Sequence, residues 1–283
     1  MSTTVFLIVL GAALLHAGWN ALLKSGGDKF AAMTAVSLGH VPLASLAALL
    51  LPLPAPESWP WLLGGLALHV AYQTTLTLAY RAGDLSHVYP IARGSAPLIV
   101  ALVSVTALGV HLTGMELMGV AIIGTGILSL ALVRKSDGRR NPRAAALALL
   151  TGCFIAGYSL VDGLGARLSG SPVAFFGWQA IGTALVFAVL INTLRPGTVR
   201  GALTVQKWRG LIGGAASFVA FAMVMWAFTQ APIALVTALR ETSIVFALLI
   251  GVIFMGERLD LAKLVSTFTA LAGAALLRFA RHM

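Results

Sequence analysis

APIALVTALRETSIVFALLIGVIFMGER, residues 231 to 258, is apolar enough to cross a bilayer yet carries Arg240 and Glu241 near its middle. A charged side chain at the centre of a membrane helix costs about 2.5–3.5 kcal/mol even on insertion scales, so it faces a protein interior or a wet cavity and finds a partner there. Arg240 is therefore a functional clue. HVYPIARGSAPLIVALVSVTALG, residues 87 to 109, holds Arg93 in the matching place. Sliding one stretch onto the other by 147 residues pairs Arg93 with Arg240, Leu102 with Leu249, Val105 with Val252, Gly109 with Gly256, Leu117 with Leu264 and Gly126 with Gly273, without a gap. The pattern is that of a duplication.

Composition agrees with a membrane origin for both copies. Of 283 residues 59% are hydrophobic and 10% charged, with a mean hydropathy of +0.94, whereas soluble domains carry about 25% charged residues. The formal charge of +10 would suggest nucleic acid in a soluble chain, but the cations lie in short loops between apolar runs, where they set topology. No nucleic-acid partner is implied. The single cysteine, Cys153, falls inside an apolar run, which rules out an intrachain disulfide.

Runs of about 20 apolar residues, the length that crosses the hydrocarbon core as a helix, fall near 4–23, 31–51, 60–80, 86–108, 115–133, 144–165, 172–193, 209–229, 232–254 and 260–279. The sequence thus predicts an all-α, polytopic membrane protein with ten transmembrane helices, since a lipid-exposed backbone must satisfy its own hydrogen bonds. The first repeat is 1–135 and the second 143–283. Five helices per half make the halves inverted repeats, a common build of secondary transporters with the substrate held between them.

Fourteen of the 19 Lys and Arg residues lie in loops after odd-numbered spans, among them Arg134, Lys135, Arg139, Arg140 and Arg143 in the linker, and three lie on the other side. The positive-inside rule puts those odd loops in the cytoplasm and both termini outside. A reporter fused after Met283 is expected to behave as external and one placed within 134–143 as cytoplasmic. The reverse pattern would overturn the orientation and leave the spans intact.

Candidate substrate-binding residues follow from polarity inside these runs. Arg240 and Glu241 are adjacent and so point about 100° apart on a helix, towards different neighbours. Arg93 lies one turn beyond Tyr89, between Pro90 and Pro97, which can kink or break a helix. The competing reading has both arginines tying the repeats together through carbonyls, Glu241 or Asp162. The first run adds His16, Trp19 and Asn20, and the facing runs offer Tyr72, Gln73, Tyr158 and Trp226. His16 is a candidate proton-coupling residue because imidazole titrates near neutral pH; a buried hydrogen bond between helices has equal claim on it. Asp162, followed by Gly163 and Gly165, sits near the end of its run. GVAIIGTG (119–126) and TALAGAALL (269–277) are stripes that permit close helix approach. The sequence contains no HExxH motif or nucleotide-binding loop, so neither metal nor cofactor is implied.

HAGWNALLK (16–24), YRAGDLSHVYPIARGSAP (80–97) and WAFTQAPIALVTALRETSIVFALLIGVIFMGERL (226–259) resemble the ten-span EamA-type members of the drug/metabolite transporter superfamily. The resemblance covers essentially the whole chain. It implies movement of small metabolites, amino acids or drugs without a cofactor, by a multi-pass protein of the inner or plasma membrane. It also implies cytoplasmic termini, against the charge count. The first half departs from the motif, with GVHL (109–112) where the pattern puts Glu, so that Glu257 is the surviving copy. HAGWN, ARGSAP and SLVDGLG (159–165) together are similar to a subgroup associated with phosphonate use. The first-run spacing also looks like that of small multidrug resistance transporters, whose proton-coupled Glu would fall at His16.

The leading expectation is a secondary transporter of a small anionic or zwitterionic, amino-acid-like metabolite, working by alternating access. Alternatives are a proton-coupled exporter of cationic drugs and a non-transporting membrane subunit. An intramembrane enzyme would need converging acid, base or nucleophile groups at one membrane face, and the polar residues here lie singly in mid-run. The expected partners are a small-molecule substrate and the lipid bilayer, with monomer and homodimer both open.

Overall fold

A computed structural model describes residues 1–24, 28–83, 85–129, 141–255 and 261–280. Among them helices are the only regular structure. Most of the 134–143 linker, together with Glu257 and Arg258, lies outside the described residues.

The helices run α1 (Thr3–Lys24), α2 (Lys29–Gly39), α3 (Val41–Leu50), α4 (Trp59–Ala82), α5 (Leu85–Thr106), α6 (Gly114–Ser129), α7 (Pro142–Leu168), α8 (Pro172–Leu194), the short α9 (Thr198–Thr204), α10 (Lys207–Gln230), α11 (Ile233–Arg240), α12 (Ser243–Met255) and α13 (Leu261–Phe279). Their starts carry the expected signals. Asp28 caps α2, accepting from the Phe30 N–H at 2.9 Å. Asn141 caps α7 with Pro142 as its first residue, accepting from the Ala144 N–H at 3.0 Å. Each relieves a backbone donor that the first turn leaves unpaired. At the other end of α10, Arg167 of α7 donates to the Phe228 and Ala231 carbonyls at 2.8 and 2.9 Å.

Each of the ten apolar runs contains helix, and seven helical segments are long and apolar enough to cross a membrane: Thr3–Ala21, Lys29–Leu50, Val88–Thr106, Pro142–Leu168, Pro172–Leu194, Lys207–Gln230 and Ile233–Ile253. The remaining three runs correspond to α4, α6 and α13. α4 has the length but carries His69, Gln73, Thr74, Thr75 and Thr77. α6 has only 16 described residues.

Two local expectations change. The run 232–254 is not one helix: α11 ends at Arg240 and α12 begins at Ser243. Across the junction the backbone tightens to three-residue spacing, with Glu241 N–H bonded to the Ala238 carbonyl and Ile244 N–H to that of Glu241. Arg240 and Ile244 therefore do not share a helical face. α5, in contrast, runs unbroken through Pro90 and Pro97. An internal proline removes one hydrogen bond and frees the carbonyl four residues earlier, which for Pro97 is that of Arg93.

Packing brings α4 against α7 and α1 against α10, α5 against α7 and α12 against α1, α2 and α3 against α8, and α6 against α13. The α6–α13 contact uses the small-residue stripes. A Cβ on Gly119 would press on Leu277, and one on Gly273 would press on Ile123 and the Gly119 carbonyl. Glycine lets these two backbones approach until side chains of one meet the spine of the other.

Candidate substrate site

The break between α11 and α12 places a short helix end inside the protein, and that end carries the charges. Arg93, Arg240 and Glu241 are 4%, 2% and 1% exposed. Arg93 Nε lies 2.8 Å from Glu241 Oε2, an ion pair in which the N–H is angled off the line to the oxygen. Arg93 also donates to the Ser243 hydroxyl at 3.5 Å, and its guanidinium sits 5.9 Å from the Tyr89 ring centre. Arg93 thus links α5 to the α11–α12 junction through Glu241.

Arg240 is differently placed. No carboxylate of the described residues comes within 4.0 Å of it. Its one side-chain hydrogen bond is a long 3.5 Å contact to the Tyr158 hydroxyl, and its Nε has no hydrogen-bond partner. The guanidinium stands 5.6 Å from the Phe221 ring centre and 5.9 Å from that of Tyr158, within cation–π range. Glu241 keeps Oε1 without a partner. The group therefore has two cations and one carboxylate, and among the described residues Arg93 Nε, Arg240 Nε and Glu241 Oε1 find no hydrogen-bond partner.

Tyr158 connects this group to a second. Tyr72 meets it edge-on at 5.4 Å, and the His69 ring stacks on it at 4.1 Å and 21°. His69 Nε2 is 2.7 Å from Asp162 Oδ2, and the Gln179 amide donates to Asp162 Oδ1 at 2.6 Å. Asp162 is wholly buried, deeper than its place near the end of an apolar run suggested. It is engaged by His69 and Gln179 rather than by the arginines. Gly65 makes room for this arrangement, since a Cβ there would collide with both the Gln179 amide and the Asp162 carboxylate.

Beside these residues lies a cavity of about 40 Å³, bordered by Trp19, His40, His69, Tyr72, Gln73 and Phe221 among others. That volume holds only a few waters. A pocket of about 460 Å³ opens separately where Arg167, Thr229, Pro232 and Ile233 meet. α11 leads from that pocket to Arg240, a distance of about 12 Å at 1.5 Å per residue.

The other expected residues divide. His16 meets the edges of Trp19 and Phe221, with ring centres 5.0 and 6.4 Å away, and Gln73 borders the cavity with Oε1 unpartnered. Asn20 donates to the His16 carbonyl at 2.7 Å, so its amide serves its own helix. Trp226 packs half-buried against the apolar core. His69 and Phe221 were not read as site residues from sequence. The available signal was spacing, because Gly65, His69 and Gln73 recur every four residues on the buried face of α4.

Buried charge between long apolar helices defines a multi-pass membrane protein with a polar interior. Residues 143–279 match the EamA-like transporter family, a match that supports an EamA-type member of the drug/metabolite transporter superfamily. No curated protein matches the chain. Among solved structures, one crystal structure aligns over 100% of this chain and 99% of its own, with a TM-score of 0.75 at 19% identity. At that identity the likeness concerns the fold.

Proposed function

We propose that the protein is a secondary transporter of the inner or plasma membrane that moves a small anionic or zwitterionic, amino-acid-like solute by alternating access. In this reading ten helices cross the bilayer as two inverted five-helix repeats, 1–135 and 143–283. The contacts between halves support it. α4 on α7 mirrors α1 on α10, α5 on α7 mirrors α12 on α1, and α6 on α13 joins the last helices of both repeats.

The single observation that carries the substrate class is Arg240, a buried guanidinium that has no carboxylate partner among the described residues and an unused N–H. A carboxylate or phosphonate would complete its hydrogen bonding in the bidentate manner guanidinium favours. Glu241 Oε1 lies on the next residue and can take the ammonium of a zwitterion. The small cavity requires that the halves separate before such a solute enters, as a rocking mechanism supplies. Purified protein in detergent is expected to gain thermal stability with amino acids, small carboxylates or phosphonates, and to take up the best of them in liposomes. Stabilisation and uptake confined to organic cations would overturn the substrate class.

A further inference from the structure

We infer that the His69–Asp162 pair is a proton-binding site that couples proton movement to the working cycle. The pair joins α4 to α7, one helix from each half of the chain, at 2.7 Å and with Asp162 wholly buried. Gln179 from α8 donates to the other carboxylate oxygen. Nε2 is committed to Asp162, which leaves Nδ1 of the imidazole to accept a proton. The ring borders the 40 Å³ cavity.

Polar side chains share the wall of that cavity with Met33, Val36, Phe176, Ala180 and Phe221. His40 Nε2, Ser37 Oγ, Gln73 Oε1, Gln179 Oε1 and Thr183 Oγ1 border it, all buried and all without a hydrogen-bond partner among the described residues. A buried polar atom left unpaired costs about 1–3 kcal/mol, so several on one small cavity call for bridging waters. Such waters bring protons to the ring.

Proton uptake turns a neutral donor on a carboxylate into an imidazolium–carboxylate pair, which strengthens the tie between the halves. It also adds positive charge beside Tyr158, the ring that His69 stacks on and whose hydroxyl meets Arg240. If Arg240 holds an anion, as proposed above, proton and anion then favour each other's binding. The proton site itself stands without that reading.

Other charged or titratable groups surround the pair. Tyr72 shares its helix, Tyr158 and Arg167 lie on α7, and His40 stands at the α2–α3 corner. α5 brings Tyr89 and Arg93, α11 ends in Arg240 and Glu241, and His16 lies on α1 beyond Phe221. Glu57 precedes α4, while α8 and α10 present uncharged Gln179 and Phe221.

The test is a pH titration of intrinsic tryptophan fluorescence on the purified full chain, with Trp19 on the cavity and Trp178 next to Gln179 as reporters. The wild type is expected to show a reversible transition as the pH is varied. Both His69→Gln and Asp162→Asn are expected to lose it while eluting as folded, monodisperse protein. No transition in the wild type, or its persistence in either variant, overturns the site. Should both variants misfold, histidine nitrogen NMR of the wild type decides: a His69 ring that changes protonation with pH supports the site, and one that keeps a single state throughout overturns it. Neither readout uses a transported solute, so a wrong substrate class leaves the result intact.

Discussion

Arg240→Lys is expected to lower transport about 100-fold while the protein still folds and inserts. That factor corresponds to about 2.7 kcal/mol, within the range of hydrogen bonds to charged groups. The charge survives the substitution, but the planar fork that meets a carboxylate or phosphonate at two points does not. Arg93→Lys should cost less, about tenfold, because Arg93 already spends its charge on Glu241 at 2.8 Å and an ammonium can hold that pair. The measurement is uptake by both variants in liposomes, with protein inserted to equal levels. If a quaternary ammonium compound is transported undiminished by both, the anionic site fails and the arginines are ties between the repeats.

Glu241→Ala should be the more damaging change to the fold. Removing one member of a buried ion pair costs about 3–5 kcal/mol because the other charge is left uncompensated, and here two cations, Arg93 and Arg240, would remain with no carboxylate beside them. The variant is expected to melt well below the wild type in detergent, or to be lost during insertion. Arg93→Met with Glu241→Met separates charge from packing and should recover the part of the loss that belongs to Arg93, since well-packed apolar residues replace buried ion pairs at little cost, while Arg240 stays uncompensated. A single Glu241→Ala as stable as the wild type would show that the pair contributes nothing to stability.

The fold was largely legible in the sequence because length and apolarity specify a membrane helix with few alternatives. Each apolar run contains helix, and α5 and α11, the segments that carry Arg93 and Arg240, pack against each other. The break after Arg240 was not legible. Breaks are read from glycine and proline, and the junction is Glu241–Thr242, whereas α5 has the prolines and does not break. His69 was missed for another reason. A lone histidine in an apolar run gives no sign of its partner until α4 and α7 are packed, and Asp162 looked like a residue at a helix end. Asn20 lies in the same first-helix motif as His16 and donates to the His16 carbonyl of its own helix.

The Arg93–Glu241 pair also has a consequence for the order in which the chain is made. A ribosome delivers α5 with its guanidinium roughly half a chain length before it reaches the carboxylate that neutralises it. Until α11 follows, the newly inserted first half holds a cation whose final counter-ion has not been synthesised. That half therefore reaches its final charge balance only when translation has nearly finished.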